Sequence, residues 1–305
     1  MVTNIDRINS FLDNLIIHPK FKQCLESTLN CVNAVSTGPY GVCIFCQPGT
    51  GKTKLGDYLT LQLNKSCIQT RECKQIKAIK IDLEEGALAT DVKRSIIYQI
   101  TGDYPSGYTK QVLNNYLKQQ LKVANVKIII IDEFHHLLRG EKRIDQKVGQ
   151  FIKSLIDKYN VAVLLLGIPR AQKILQLDTE LNSRVIQVGM LELFNCKNDN
   201  SRAYFQKFLR EYSAKCPVPI IDLSTDNMAY RMELATGGDL RRIRQLFQHM
   251  LLHIDEGEEI SIAHLDVAHR QLNKAKRNCD SNNQVIWPFS SEVTLQQVKQ
   301  ALVYE

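Results

Sequence analysis

A short glycine-rich segment constrains the fold of this chain more than any other feature of its sequence. The segment reads Cys46-Gln-Pro-Gly-Thr-Gly-Lys-Thr53 and lies between an apolar run and a helical pattern. Gly49 and Gly51 allow tight turns, so that successive backbone N–H groups can point at phosphate oxygens. The following helix adds its positive end, and Lys52 adds a full positive charge. The segment therefore predicts a phosphate-binding loop of the Walker A type.

This loop predicts ATP and Mg²⁺ as cofactors. We expect the loop and the first helical turn to bind the nucleotide through Gln47, Pro48, Gly49, Thr50, Gly51, Lys52, Thr53 and Lys54. The Lys52 ammonium would reach the β- and γ-phosphates, and the Thr53 hydroxyl would ligate Mg²⁺. Cys46 stands where the usual motif has its first glycine, a position that accepts a small side chain in some loops.

A second apolar run ends in two carboxylates, Ile128-Ile-Ile-Ile-Asp132-Glu133. A buried strand that ends there would place Asp132 beside the Mg²⁺ ion. Glu133 would then be the catalytic group that polarises the attacking water. An apolar strand followed by two acids is common by itself. Because this run follows the glycine-rich segment at the spacing of a Walker B motif, the two together predict a catalytic site that also contains Lys52.

Short apolar runs alternate with helical patterns over the first two thirds of the chain. They cover Val42–Cys46, Ala78–Leu83, Lys127–Ile131, Val161–Leu166 and, as a fifth candidate strand, Val185–Val188. Uninterrupted apolar strands that alternate with helices are typical of a parallel sheet covered on both faces. From about residue 200 the pattern is helical only. The sequence therefore predicts an α/β fold with a small all-helical lid and a short C-terminal tail.

These patterns divide the chain into four parts. They are residues 1–40, N-terminal helices leading into the core; 41–199, the ATPase core; 200–273, the helical lid; and 274–305, a polar linker and a C-terminal docking tail. In the tail, Trp287 and Phe289 suit a docking peptide, because aromatic anchors dominate interface energy. The alternative is that the tail folds back on its own lid or on a neighbouring subunit.

Composition restricts the location and the partners of the protein. The chain has 305 residues, of which 44% are hydrophobic and 23% charged, as in ordinary globular proteins. The sequence shows neither an apolar run of membrane-spanning length nor a signal-peptide core. It therefore predicts a cytoplasmic protein without a membrane partner. The formal net charge of +7 permits binding to a polyanion without establishing it.

The cysteines and histidines do not predict a metal or redox site. Nine scattered cysteines disfavour a disulfide framework. Cys43 and Cys46 lie in the strand that enters the phosphate loop, and no second ligand pair follows them. The adjacent His135 and His136 are expected to point to different sides, with no third ligand in sequence reach. Polar packing, or a switch next to Glu133, is the favoured interpretation of these histidines.

Further short motifs follow the two nucleotide motifs. They are His135-His136-Leu137, a turn with Gly167, Pro169, Arg170 and Ala171, then Leu181-Asn-Ser-Arg184 and Gly238-Asp-Leu-Arg241-Arg242. The order and spacing of these motifs resemble those of the TniB/TnsC regulators of DNA transposition and their AAA+ initiator-like relatives. The resemblance covers roughly residues 15–272. It implies an AAA+ P-loop ATPase fold, with a parallel sheet flanked by helices and a helical lid.

The resemblance also implies roles for two arginines. Arg184 matches the catalytic arginine that reaches the nucleotide of the neighbouring subunit in AAA+ rings, and Arg241 matches the lid arginine that couples lid angle to the γ-phosphate. The alternative for each is a surface arginine in a salt bridge. Family members usually carry a polar residue at the position of Ile168. This apolar side chain predicts intact ATP binding with hydrolysis that is slow or depends on a partner.

By the same resemblance, the protein would form ATP-dependent homo-oligomers, as hexameric rings or helical filaments on double-stranded DNA. Candidate DNA contacts lie on the helices after the second strand: Thr90, Lys93, Arg94, Lys110 and Lys118. Lys93 and Arg94 are favoured, because adjacent cations on one helix can meet neighbouring phosphates. Such contacts set affinity without reading sequence. No aromatic residues are interleaved with these candidates to suggest base stacking, so we expect backbone tracking with little specificity. The alternative for each residue is a solvated helix face.

The function that the resemblance implies is the regulation of transposition. The protein would recruit or activate a DDE-type transposase and would receive targeting input from a TniQ-like adaptor, with a CRISPR effector as one source of that input. Two other classes stay open at this point. One is a replication-initiator or clamp-loader-like AAA+ ATPase, and the other is a nucleotide-gated scaffold that does not use DNA.

Overall fold

The computed structural model describes residues 4–33, 40–67, 75–140, 143–254, 258–272, 278–279 and 285–302. The chain forms two compact units. The first unit comprises residues 19–191, and the second combines residues 1–18 with residues 192–305. Both ends of the chain therefore contribute to the second unit.

Five strands form the sheet of the first unit: β1 (Gly41–Cys46), β2 (Ala78–Asp82), β3 (Ile128–Asp132), β4 (Ala162–Gly167) and β5 (Val185–Leu191). Their order is β2-β3-β4-β1-β5, and every neighbouring pair is parallel. The predicted α/β fold is confirmed, and the fifth candidate strand is present and extends to Leu191. The short strands β6 (Asn278–Cys279) and β7 (Val285–Ile286) pair separately.

The helices of the first unit are α2 to α8, and those of the second are α1 and α9 to α13. In chain order they are α1 (Asn4–Asp13), α2 (Pro19–Val32), α3 (Lys52–Asn64), α4 (Ala89–Thr101), α5 (Lys110–Val123), α6 (Gln146–Asp157), α7 (Gln172–Leu177), α8 (Thr179–Asn182), α9 (Asp199–Ser213), α10 (Asp226–Thr236), α11 (Leu240–His253), α12 (Ile262–Leu272) and α13 (Leu295–Ala301). Two 3-10 helices cover Phe134–Leu137 and Pro169–Ala171. Within the described ranges, no helix combines the length and the apolar character needed to cross a membrane.

Apolar stripes explain why the helices cover the sheet. α6 buries Val148, Phe151 and Leu155 on one face, at the spacing of an amphipathic helix. The Asp145 side chain caps this helix by accepting a hydrogen bond from the Val148 N–H. β1, β3 and β4 are buried along their whole length, as expected for central strands between helical layers. Because the strands are parallel, their carboxyl ends share one edge of the sheet, where ligand sites are favoured.

Aromatic side chains form the centre of the second unit. Phe194 stacks on Phe208 with ring centroids 4.4 Å apart, and Phe208 stacks on Tyr212 at 5.6 Å. The ring of Phe11 in α1 lies 4.8 Å from that of Tyr212, and α1 packs against α11. The sequence boundaries group α1 with the N-terminal segment that leads into the core. The structure instead places α1 with the helical unit, because its apolar face is buried there.

The C-terminal residues also belong to the second unit. Phe289 is buried in its core, and Trp287 is half-buried. The guanidinium of the buried Arg231 donates a hydrogen bond to the carbonyl oxygen of Val293 at 2.7 Å, which fixes this part of the tail. Of the two expectations for the tail, folding back onto the helical unit is the one that the structure shows. Most of the predicted linker, residues 274–284, lies outside the described residues.

A substitution of Gly238 is expected to destabilise the helical unit strongly. The φ angle of Gly238 is +67°, and a Cβ there would lie 1.8 Å from the carbonyl oxygen of Phe194. Gly238→Ala is expected to lower the free energy of unfolding by about 3 kcal/mol, because backbone strain adds to a steric overlap. Gly237→Ala is the matched control, since Gly237 has φ +63° but a Cβ there would approach Arg242 Nη1 only to 3.9 Å. Chemical denaturation measures both variants, and equal losses would contradict the steric explanation.

Candidate nucleotide site

The glycine-rich loop leaves β1 and turns directly into α3. Gly49 and Gly51 have φ angles of +84° and +90°, in the left-handed region that other residues disfavour. Gly51 is the N-cap of α3, and no side chain forms a capping hydrogen bond there. The backbone N–H groups and the positive dipole at the start of α3 are therefore available to an anion in the loop.

Two hydrogen bonds hold the loop in place. The Thr50 hydroxyl donates to the carbonyl oxygen of Gln47 at 2.8 Å, and the Gln47 N–H donates to the carbonyl oxygen of Leu191 in β5 at 3.2 Å. Cys46 is the buried last residue of β1, and its φ angle is not positive, so the missing first glycine leaves the turn undisturbed. Burial raises the pKa of the Cys46 thiol to about 12, which keeps this thiol neutral beside the loop.

Lys52 connects the two nucleotide motifs. Its Nζ lies 2.9 Å from Asp132 Oδ1 and 2.9 Å from Glu133 Oε1. Asp132 is only 1% exposed, and a carboxylate buried to this degree requires a cation as partner. Parallel β1 and β3 place the loop and the two carboxylates at the same sheet edge. The structure thus brings together Lys52, Asp132 and Glu133 as the sequence predicts.

Glu133 has a strained backbone conformation. Its φ angle of +55° is uncommon for a residue with a side chain, and such strain often occurs at functional sites. Its N–H donates to Asp132 Oδ1 at 2.8 Å, and its Oε2 lies 3.2 Å from His135 Nδ1. Burial, followed by the neighbouring His136, lowers the pKa of His135, so this ring is neutral at pH 7. The two oxygens of Glu133 therefore face different partners, a lysine and a neutral imidazole.

A second lysine, Lys80, lies beside the Asp132 carboxylate, and the sequence motifs do not reveal it. Lys80 in β2 has its Nζ 3.7 Å from Asp132 Oδ2, 2.8 Å from Asp57 Oδ1 and 3.8 Å from Asp82 Oδ1. Burial disfavours the charged form of Lys80, but the three carboxylates outweigh it and raise the pKa of this lysine. The sequence signal is a lysine within an apolar strand two residues before an aspartate, a spacing that places both on one face.

The other predicted site residues of this unit lie nearer the surface. Thr53 and Lys54 are exposed in the first turn of α3, and Gln47 and Pro48 are exposed in the loop. Ile168 follows β4, is half-buried and begins the 3-10 helix that contains Arg170. Its side chain offers no hydrogen-bonding group at this sheet edge.

Arg184 is engaged by its own subunit in this structure. Its Nε lies 3.0 Å and 2.8 Å from the two carboxylate oxygens of Asp157, and its Nη1 donates to the carbonyl oxygen of Glu180 at 2.6 Å. The single chain therefore shows the salt-bridge alternative for Arg184. Arg241 is exposed in the first turn of α11, where its N–H donates to the capping carboxylate of Asp239 at 2.7 Å.

The structure argues against Lys93 as a DNA contact. Lys93 is 8% exposed, its ammonium donates to Asn114 Oδ1 at 2.8 Å, and its Nζ lies 4.9 Å from the ring centroid of Phe151. Burial, followed by the charge of Lys110, lowers the pKa of Lys93. An ammonium that is buried and paired in this way cannot meet a backbone phosphate at the surface.

The other four DNA candidates differ in accessibility. Arg94 is half-buried, with its Nε donating to the carbonyl oxygen of Pro105 at 3.1 Å, and Thr90 is also half-buried. Lys110 and Lys118 are exposed on α5. Three tyrosines that lie between Arg94 and Lys110 in the sequence are exposed: Tyr98, Tyr104 and Tyr108. The expectation that no aromatic residues are interleaved with the candidates is therefore wrong, and exposed aromatic rings are the groups on which bases stack.

Sequence comparison identifies the family. The family model of the bacterial TniB protein matches residues 5–195. This chain belongs to the TniB family. The matched range of this TniB-family chain contains both nucleotide motifs and the Arg184 turn, and it ends before α9. No curated protein matches the sequence.

Solved structures similar to this TniB-family chain have the AAA+ P-loop ATPase fold, which confirms the predicted fold. The ORC1 protein of Aeropyrum pernix, in complex with DNA, has a TM-score of 0.62 and 15% identity over 89% of this chain and 70% of that chain. The ORC2 protein of the same organism, in ADPNP-ADP complexes, has a TM-score of 0.61 and 15% identity over 86% and 71%. The RuvB Holliday junction branch migration motor of Thermotoga maritima has a TM-score of 0.51 and 14% identity over 90% and 76%.

Proposed function

We propose that this TniB-family chain is an ATP-dependent AAA+ regulator of DNA transposition. The observation that carries the proposal is the position of Lys52, which lies between Asp132 and Glu133 at the uncapped start of α3. This arrangement offers a cation and backbone donors to phosphates, and two carboxylates to a metal ion and a water molecule. Membership of the TniB family supports the transposition context.

The residues of the loop fit ATP with Mg²⁺. Backbone N–H groups from Gly49 to Thr53 would hold the phosphates, and Lys52 would turn from the carboxylates to the β- and γ-phosphates. Thr53 and Asp132 would hold Mg²⁺, which neutralises phosphate charge when bound. The ADPNP-ADP complexes of the A. pernix ORC2 protein support this choice of nucleotide.

Hydrolysis would depend on Glu133 as the general base for the attacking water. Glu133 Oε2 lies 3.2 Å from Nδ1 of the neutral His135, so no second positive charge faces this oxygen there. Ile168 provides no hydrogen bond to the γ-phosphate or the water, which supports hydrolysis that is slow or depends on a partner. In an assembled ring or filament, Arg184 would complete the nucleotide site of the neighbouring subunit. Arg241 would contact the γ-phosphate of the nucleotide bound by its own chain.

Replacing Lys80 is expected to make the stability of the protein depend on Mg²⁺. Lys80→Met removes the cation shared by Asp57, Asp82 and Asp132, and is expected to lower the free energy of unfolding by about 1–3 kcal/mol without Mg²⁺. Because Mg²⁺ would restore positive charge beside Asp132, it is expected to raise the melting temperature of the variant more than that of the wild type. Lys77→Met is the control, since Lys77 contacts the neutral Ser66 hydroxyl. Equal Mg²⁺ responses in Lys80→Met and wild type would contradict a role of Lys80 at this carboxylate.

We further propose that the protein oligomerises on double-stranded DNA through the surface of α4 and α5. The exposed Lys110 and Lys118 are the best phosphate contacts there, since Lys93 is buried and Arg94 is partly engaged. The DNA complex of the A. pernix ORC1 protein shows that this fold accommodates DNA in that protein. The transposase and the TniQ-like adaptor would then bind the assembled oligomer.

DNA binding is expected to require a non-hydrolysable ATP analogue and to weaken with salt. Lys110→Gln combined with Lys118→Gln is expected to reduce the slope of log K against log salt concentration by about two, one for each lost phosphate contact. Fluorescence anisotropy with duplex DNA across a salt series measures this slope. Electron microscopy of the same samples is expected to show rings or filaments.

The control for this experiment removes the same charge from a different surface. Lys207 and Lys215 are exposed in the second unit, so Lys207→Gln combined with Lys215→Gln is expected to leave the salt slope unchanged. Binding that ignores the ATP analogue at every salt concentration would contradict the proposal. Weak retention of duplex DNA with the ATP analogue would instead favour a nucleotide-gated scaffold that does not use DNA.

A further inference from the structure

Three side chains with metal-ligand atoms meet beside the nucleotide site. One ligand atom from each of Glu133, His135 and His136 lies within 4.8 Å of the other two. Glu133 Oε2 is 3.2 Å from His135 Nδ1, and the two imidazole centroids are 4.3 Å apart. The sequence expectation that these histidines point to different sides is wrong, because the 3-10 turn places both rings together. The third candidate ligand is the side-chain carboxylate of Glu133, whose backbone is left-handed. The sequence did not show this ligand.

The spacing of these atoms suits a small transition-metal ion. In a tetrahedral zinc site with bonds of about 2.0–2.1 Å, neighbouring ligand atoms lie about 3.3 Å apart. The Glu133–His135 distance already has this value, and a side-chain rotation of His136 would complete the set. Two imidazoles and one carboxylate form the ligand set of zinc sites that keep a fourth position for water.

Exposure and charge allow an ion to reach this cluster. The side chains of Glu133 and His135 are 37% and 17% exposed, so an ion can approach from the side of the Glu133 carboxylate and keep a water ligand. His135 Nδ1 itself is buried and has no hydrogen-bond partner among the described residues. Lys52 contacts the other carboxylate oxygen of Glu133, which leaves Oε2 for the ion. The nearby charges of Lys52 and Arg170 weaken the site relative to a structural zinc site.

We propose that Glu133, His135 and His136 bind Zn²⁺ or a similar transition-metal ion, and that the bound ion withholds Glu133 from the attacking water. The binding step is independent of the proposed ATPase activity, whereas the inhibitory step rests on it. A carboxylate that ligates Zn²⁺ no longer accepts a proton from water, so hydrolysis would stop while ATP remains bound at the loop. Free zinc would thus hold the protein in its ATP-bound form.

Isothermal titration calorimetry with zinc chloride tests the binding step. The full chain is used without an affinity tag and without nucleotide. The wild type is expected to bind Zn²⁺. His136→Ala is expected to bind Zn²⁺ more weakly by a factor of about ten or more. The variant His249→Ala with His253→Ala is the matched control, because this pair stacks at 4.4 Å on α11, away from the cluster in sequence. Equal zinc binding by wild type and His136→Ala, or loss of binding in the control, overturns the proposal.

Cobalt(II) distinguishes the cluster from the thiols of the chain. Cys67 and Cys216 are half-buried free cysteines that could also bind a soft ion. Coordination by Glu133 and the two histidines is expected to give d–d absorption without thiolate-to-cobalt charge-transfer bands, and His135→Ala is expected to abolish it. Charge-transfer bands that persist in His135→Ala and His136→Ala would overturn the assignment. Unchanged melting temperatures show that both variants fold.

Turnover measurements separate the inhibitory step from the binding step. With saturating ATP and Mg²⁺, zinc is expected to lower wild-type turnover at least about tenfold, as loss of a general base would, and to have little effect on His136→Ala. Retention of a fluorescent ATP analogue shows that the nucleotide stays bound. Zinc binding without any effect on turnover overturns the inhibitory step. A wild type that never hydrolyses ATP instead refutes the proposed ATPase, and calorimetry still decides the metal site.

Discussion

Replacing Glu133 with glutamine is expected to lower the rate of ATP hydrolysis by about 100- to 10,000-fold, the range that a positioned general base contributes. Glutamine keeps the length and shape of the side chain, but its amide cannot accept the proton of the attacking water. The loop, Lys52 and Asp132 are unchanged, so ATP affinity is expected to change by less than about tenfold. Phosphate release measures the turnover, and a fluorescent ATP analogue measures the affinity.

The control is a carboxylate of the same unit that lies away from the phosphate loop. Glu84 is exposed just beyond the end of β2, and Glu84→Gln is expected to leave both turnover and affinity unchanged. A parallel loss of affinity and turnover in Glu133→Gln would show that the ion pair with Lys52 shapes the loop. That result, or substantial remaining turnover, would contradict the assignment of Glu133 as the base.

Repeating patterns made the first unit predictable from the sequence. A continuous apolar run such as Ile128–Ile131 has few options other than a central parallel strand, because both of its faces must be buried. The glycines at 49 and 51 likewise predict backbone in the left-handed region, which is the conformation that both adopt. Since parallel strands align their carboxyl ends, the loop and Asp132 had to meet once both strands were assigned.

Properties that depend on tertiary contacts were not predictable in the same way. Lys93 occupies the same helical stripe as the buried Ile96 and Ile100, so its apolar stem is covered and its ammonium reaches Asn114. Its charge suggested a surface contact, whereas the helical period places it on the buried face. The burial of Phe289 depends on partners far away in sequence, and a local pattern of residues does not identify them.

The cluster at Glu133 shows a similar limit for the site. The sequence places His135 and His136 next to each other but does not specify the 3-10 turn and the left-handed Glu133 that bring three ligand atoms together. Lys80 was hidden for a different reason. Its role follows from the register of β2 beside β3, which pairs Asp82 with Asp132.

Arg184→Ala is expected to reduce the turnover of the assembled protein by about 1,000-fold or more, as removal of an arginine finger does. The loss is not expected to come from unfolding. The ion pair between Arg184 and Asp157 is 32% and 42% exposed, and such surface pairs stabilise proteins by about 0.2–1 kcal/mol. Asp157→Ala removes the same ion pair and is therefore the matched control, with turnover expected to stay near that of the wild type.

A mixing experiment decides whether Arg184 acts on its own nucleotide or on that of a neighbour. Arg184→Ala subunits keep Glu133, and Glu133→Gln subunits keep Arg184, so each variant alone is expected to be inactive. If Arg184 acts across a subunit interface, mixed oligomers combine both groups at about a quarter of the sites, since head-to-tail assembly pairs the two variants at random. Turnover that appears only on mixing supports action in trans. Two variants that stay inactive when mixed, although electron microscopy shows joint assembly, would mean that Arg184 acts on the site of its own chain.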